Sequence, residues 1–277
     1  MVAPTRPPPV TVPIPLRPMT ATDIIDGGIE AVKTAPRAVL LVSAAFVIPA
    51  QLLVLAIVQG RPAGMGAAGI IRSFTDGFGS SSVRVVDVAA PLVIHSIALV
   101  LLAATTAELV VSWYYRRPTT AGAAIAATLR RTPALLALWA MVHVFEAVAT
   151  LALVVPGVLV AALCSVAVPV LVVEHVGPFA AVDRSWRLTR TRFGSVLWVV
   201  ILIAVVDLVL ATALGGVGFL VTPFDFAPAV SGVVVSAASV VTAPFVAAAT
   251  TLLYLDLRVR AEGLDIELGI AERMHAG

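Results

Sequence analysis

Four ionisable residues fall inside long apolar stretches of this chain. They are Glu108, His143, Glu146 and Asp207. A charge at the centre of a bilayer costs roughly 3 kcal/mol or more, so such residues are functional candidates by default. His143 and Glu146 are three residues apart, which places them on the same face of a helix. Histidine titrates near neutral pH, so a cluster of these groups could relay protons or bind a cation.

The same four residues have a simpler interpretation, which we favour. Polar side chains in neighbouring membrane helices often hydrogen-bond the helices together and need no ligand. A catalytic zinc ion normally takes three protein ligands, and His143 and Glu146 offer two. The lone Cys164 rules out an intrachain disulfide and a multi-cysteine metal site. No nucleophile, base and acid form a convincing set, so we expect no catalytic residue, no metal and no cofactor.

A second candidate site is a group of arginines between two apolar stretches. They are Arg184, Arg187, Arg190 and Arg192, next to Trp186. Arginines at an anionic membrane surface each gain about 1 kcal/mol, so this group could bind lipid headgroups. Orienting the following span is an alternative that needs no specific lipid. Glu174 and Asp183 flank the group, and we expect them to pair with its arginines. We likewise expect Asp256 to pair with Arg258 or Arg260.

The composition shows what kind of structure must position these residues. Of the 277 residues 60% are hydrophobic and only 12% are charged, far from the balance of a soluble domain. A helix needs about 20 residues to cross the hydrocarbon core. Stretches of suitable length cover 38–58, 88–112, 134–154, 156–173, 195–214 and 232–255. The sequence therefore predicts an all-α membrane protein with six transmembrane helices.

The basic residues predict how these spans are oriented. Four lysines and arginines precede span one, four follow span two, four follow span four and three follow span six, while three lie in the loop after span one. The positive-inside rule then places both termini in the cytoplasm, and the basic pI needs no nucleic-acid partner. The alanine- and arginine-rich composition suggests a bacterial plasma membrane. Residues 1–19 contain seven prolines, which predicts a disordered cytoplasmic tail before a membrane domain at 20–260 and a short tail at 261–277.

A short amphipathic segment precedes each odd-numbered span. In the first, Ile25, Ile29 and Val32 share one helical face. In the last, Phe179, Val182, Trp186 and Phe193 share a face, with Asp183, Arg184 and Arg187 opposite. We therefore predict three units, each an interfacial helix followed by a two-span hairpin, although basic loops of any multi-span protein look somewhat alike. Prolines inside the spans predict kinks, at Pro49, Pro169 and Pro244.

One pattern resembles a known family. Glu174, the pair Gly177 and Pro178, and the run from Arg184 to Trp186 are followed by an ending with Tyr254, Asp256 and Arg258. These residues are similar to those of the membrane-domain family named after glycerophosphodiester phosphodiesterases. The resemblance implies a six-helix all-α membrane domain, which in some proteins is fused to a soluble phosphodiesterase barrel. No segment here has the composition of such a barrel, so we expect no hydrolase activity.

Two functions follow as expectations. The first is a non-enzymatic accessory or scaffold protein of the membrane or envelope, which contacts membrane lipids and a protein partner at the cytoplasmic face. The second is a transporter or lipid translocator that uses the intramembrane cluster. Glu146→Gln and Asp207→Asn separate the two, since a transporter would lose flux and a scaffold would lose at most stability.

Overall fold

The computed structural model describes residues 17–58, 85–115, 119–215 and 227–266. Every regular element in these ranges is a helix, which confirms the all-α prediction. Six spans are long and apolar enough to cross a membrane. The predictions made for residues 1–16 and 267–277 lie outside the described residues.

The observed spans are longer than the predicted ones at most ends. Their helices are α2 (Pro36–Val58), α3 (Val85–Tyr114), α5 (Thr132–Ala152), α6 (Val154–Cys164) with α7 (Ala167–Val173), α9 (Phe193–Gly215) and α10 (Ala227–Glu262). Helix α10 continues seven residues past the predicted end at 255. Ion pairs four residues apart, Arg258 with Glu262 and Arg260 with Asp256, support this added length.

A short helix precedes each odd-numbered span, as predicted. These interfacial helices are α1 (Ala21–Thr34), α4 (Ala121–Arg130) and α8 (Pro178–Arg190). Thr20 and Asp23 form a capping box at the start of α1, and the Thr120 side chain caps α4. Helix α8 instead begins with Pro178 at its first position, where the missing N–H costs nothing. We call the end of the bundle that carries these helices the interfacial end.

The packing repeats three times around the bundle. Spans two, four and six contact one another, and each pairs with the odd span before it in the chain. Each odd span also touches the even span of the preceding unit, with span six preceding span one. The interfacial helices follow the same rule: α1 packs on span six, α4 on span two and α8 on span four. This cyclic order is that of a ring of three units that repeat the same contacts.

Burial separates the inner spans from the outer ones. In spans two, four and six the buried share of the most apolar 18 residues is 44%, 44% and 67%. In spans one, three and five it is 28%, 11% and 17%. The even spans therefore form the core, and the odd spans present most of their apolar surface outward, where lipid can cover it.

Span four is broken near its middle. Helix α6 ends at Cys164 and α7 begins at Ala167. Pro169 explains the break, because it has no N–H to donate to the carbonyl of Ser165. The distortion predicted at this proline is therefore present as a break, whereas α2 and α10 continue without interruption through Pro49 and Pro244.

Candidate functional site at the interfacial end

An ionic cluster joins span four, α8 and span six. Its members are Glu174, Arg184, Tyr254, Arg258 and Glu262. The Arg184 Nε donates to both carboxylate oxygens of Glu174, at 3.2 and 3.1 Å, and its Nη2 pairs with Glu262. Tyr254 donates its hydroxyl to Glu174 at 3.1 Å, and Arg258 donates to Glu262 at 2.9 Å. Two arginines thus face two carboxylates, so the cluster is charge-balanced.

Arg184 holds its charge inside this cluster. Burial acts to lower its pKa, but hydrogen bonds and electrostatic attraction from Glu262 and Glu174 outweigh burial and raise the pKa above its ordinary value. The guanidinium is therefore fixed as a cation between two carboxylates. Arg184 was one of the predicted lipid contacts; the structure shows it bonded to Glu174 and Glu262, and its lipid contact stays a prediction.

Hydroxyl groups of α8 repair the break in span four. Ser185 Oγ donates to the Leu163 carbonyl oxygen at 2.7 Å, and Thr189 Oγ1 lies 3.2 Å from the same oxygen. In an unbroken helix that carbonyl would accept from the backbone of Ala167. Near the C-terminal end of span four, Arg131 donates to the Val172 carbonyl oxygen at 2.9 Å. Side chains of neighbouring segments thus satisfy backbone groups that the break and the end of the span leave free.

The opposite face of α8 is open. Phe179 is 81% exposed and Trp186 is 43% exposed. Arg187 pairs at 2.9 Å with Asp183, and both of these side chains are more than half exposed. Two further arginines, Arg190 and Arg192, are exposed and form no ion pair within the described ranges. Phe179 and Trp186, two residues of the predicted apolar face, are therefore not packed on the spans, whereas Val182 of the same face is buried. The buried face of α8 consists of smaller residues, namely Ala181, Val182, Ser185, Leu188 and Thr189.

A second set of bonds fixes the chain entering α1 to span six. The Met19 N–H donates to Asp256 Oδ1 at 2.6 Å, and the Met19 carbonyl accepts from Arg260 Nη2 at 2.6 Å. Arg260 Nε also donates to both oxygens of Asp256, at 2.8 and 2.9 Å. Sequence reasoning found the pairing of Asp256 with a following arginine. It missed Met19, because backbone groups carry no sequence signal.

The intramembrane polar residues form a looser arrangement. The Nδ1 of His143 lies 2.9 Å from the Trp139 carbonyl oxygen, and the two rings are 5.0 Å apart. Trp139 donates to Ser96 Oγ at 3.0 Å, which links span three to span two. The carboxyl group of Glu146 is close enough to interact electrostatically with the His143 ring on the same helix and with the Cys164 thiol on span four. This part of span three therefore bonds to span two as well as carrying ionisable groups.

The four predicted residues lie on three helices. His143 and Glu146 share span three, whereas Glu108 lies on α3 and Asp207 on α9, both half-buried. Among the described residues no hydrogen bond or ion pair joins any two of the four. Within the same residues no group of three or more histidine, cysteine and acidic side chains is placed to hold a metal ion.

The chain matches no protein-family model, no curated protein and no solved structure. The resemblance to the membrane-domain family named after glycerophosphodiester phosphodiesterases therefore stays a prediction that depends on the quoted residues.

Proposed function

We propose that this protein is a non-enzymatic membrane scaffold that presents α8 to a protein partner. The observation that carries the proposal is the contrast between the two faces of this helix. Arg184, Ser185 and Thr189 bond one face to spans four and six. The other face exposes Phe179 and Trp186.

Such a helix is suited to recognition. A surface held in place by the protein does not need to become ordered when a partner binds, which lowers the entropic cost of association. Exposed aromatic side chains and arginines are also the residue types most enriched at interface hot spots. The positive-inside rule supports placing this surface, and both termini, in the cytoplasm. The alanine- and arginine-rich composition supports a bacterial cell.

A transporter or lipid translocator is the second candidate. The observation in its favour is the proximity of His143 and Glu146 within span three. Its support is weaker, because Asp207 and Glu108 lie on other helices and are not bonded to this pair. Reconstituted protein that moves an ion or a lipid, and loses this flux in Glu146→Gln, would favour transport over the scaffold.

The scaffold is tested by extraction into native lipid discs and quantitative mass spectrometry of co-purifying proteins. A double variant, Phe179→Ala with Trp186→Ala, removes the exposed aromatic groups of α8. Leu129→Ala is the matched control, since Leu129 is 54% exposed on α4. We expect a partner at fixed stoichiometry with wild type and with the control, and its loss with the double variant. Equal recovery from all three proteins would contradict the role of α8.

A further inference from the structure

A cavity of about 300 Å³ lies at the interfacial end between α1, α9 and α10. This volume is at the lower limit of the roughly 300 to 1,000 Å³ that small-molecule sites occupy. Apolar side chains from all three helices form much of its wall, among them Ile24, Val196, Val199 and Leu257. Sequence analysis gave no indication of it, because the wall combines residues far apart in the chain.

The polar part of the cavity wall carries a net positive charge. It contains Arg192, Arg260, Asp256 and Ser195. The Asp256 carboxylate already accepts hydrogen bonds from Arg260 and from the Met19 N–H, so its charge is offset. Arg192 is exposed and has no ion pair in the described part of the chain. An anion entering the cavity would therefore meet one uncompensated guanidinium and a hydroxyl group.

The position of the cavity points to the source of such an anion. Arg192 immediately precedes span five at Phe193, and Arg260 lies in the last turn of span six. The cavity is therefore at the depth where lipid headgroups meet the protein. Trp198 also lines it and is 60% exposed, as is typical of tryptophan at the membrane interface.

We propose that this cavity binds the phosphate headgroup of an anionic glycerophospholipid. Arg192 and Ser195 bind the phosphate, with Arg260 behind them. The glycerol and the first methylenes lie against the apolar wall, while the acyl chains leave past Trp198 into the bilayer. A soluble phosphate compound would use the same cationic groups but would gain nothing from an apolar wall that continues into the membrane. This site goes beyond the scaffold function, because a protein partner on α8 requires no bound lipid.

The test uses purified full-length protein in a non-ionic detergent, without any partner. Native mass spectrometry measures binding of phosphatidylglycerol and of phosphatidylcholine. We expect wild type to prefer the anionic lipid, and Arg192→Gln to reduce this preference about fivefold, the factor that about 1 kcal/mol corresponds to. The matched control is Arg190→Gln, which removes an exposed arginine that does not line the cavity. This control should keep the preference.

A second variant fills the cavity without changing charge. Ala21 lines the cavity at the start of α1, and Ala21→Leu should weaken binding of phosphatidylglycerol as well. Equal effects of Arg190→Gln and Arg192→Gln would show general attraction to the basic surface and overturn the site. Unchanged binding in Ala21→Leu would do the same. If glycerol 3-phosphate displaced phosphatidylglycerol at equal concentration, the site would bind a soluble phosphate compound, and the proposal of a lipid ligand would be wrong.

Discussion

The ionic cluster and the intramembrane polar residues differ in whether their charged groups pair between helices. In the cluster, Arg184 from α8 meets carboxylates from span four and span six. In the membrane interior, His143 and Glu146 come from the same helix, and Asp207 lies on another helix without a bonded partner among the described residues. Charge pairs therefore tie helices together at the interfacial end, whereas apolar packing dominates within the bilayer. The difference favours recognition at the interfacial end over a polar path through the spans.

Breaking the ionic cluster should have the largest effect on stability. Arg184→Ala leaves Glu174 and Glu262 without their shared cation. We expect it to lower the free energy of unfolding by about 2 to 3 kcal/mol, less than for a fully buried pair because the Arg184 side chain is 25% exposed. Denaturation with sodium dodecyl sulfate, followed by circular dichroism, measures the loss.

Arg187→Ala is the matched control on the same helix. Arg187 and Asp183 are 56% and 64% exposed, so their pair should contribute less than about 0.5 kcal/mol. If both arginine variants lost the same stability, the cluster would not hold the helices together.

Removing the hydroxyl groups that repair span four should have the next largest effect. The double variant Ser185→Ala with Thr189→Val leaves the Leu163 carbonyl without its donors. A fully buried carbonyl without a donor costs about 1 to 3 kcal/mol, and we expect the lower end of this range because Leu163 is only partly buried. Thr191→Val is the control, since the exposed Thr191 donates only to Leu188 at the end of its own helix. Hydrogen exchange at the backbone of α6 and α7 should increase in the double variant and stay unchanged in the control.

The intramembrane carboxylates should matter less. For Glu146→Gln and Asp207→Asn we expect a change below about 1 kcal/mol, as for polar contacts between membrane helices. Capture of a partner on α8 should be unchanged in both variants. A loss larger than that of Arg184→Ala would reverse the comparison and place the main polar determinant of the fold inside the membrane.

The smallest effect should come from the start of α1. Hydrogen bonds from the backbone and side chain of Thr20, together with the nearby Arg17, lower the pKa of Asp23. A lowered pKa stabilises the folded state above the unfolded pKa of about 3.9, and this contribution disappears as the pH falls through the lower folded value. Asp23→Asn removes the pH dependence, so wild type and variant should converge at low pH. Above pH 5 the amides of α1 should exchange about two- to fivefold faster in the variant.

The sequence predicted much of the fold because membrane helices obey local rules. Long apolar runs located the six spans, and amphipathic segments located α1, α4 and α8. A distortion of span four was also predicted at Pro169, since proline cannot donate a backbone hydrogen bond. The full length of α10 was not predicted, because its last turns depend on ion pairs that extend the helix past its apolar run.

The candidate sites could be predicted only in part. The sequence placed Arg184 and Glu174 near each other, but it could not show that Glu262 and Tyr254 complete the cluster from span six. It grouped four intramembrane residues by depth, while the rotation of each helix about its own axis decides which of them meet. That rotation depends on packing against neighbouring spans.

The sequence by itself thus determined which segments lie in lipid and which lie outside it. A run of apolar side chains is stable in lipid wherever the neighbouring helices lie. The tertiary structure alone decided that the even spans form the core, that α8 closes the break in span four and that Met19 is bound between Asp256 and Arg260. These features join residues that are distant in the chain. The physical reason is that hydropathy is a sum over neighbouring residues, whereas a binding site depends on distances between separate helices.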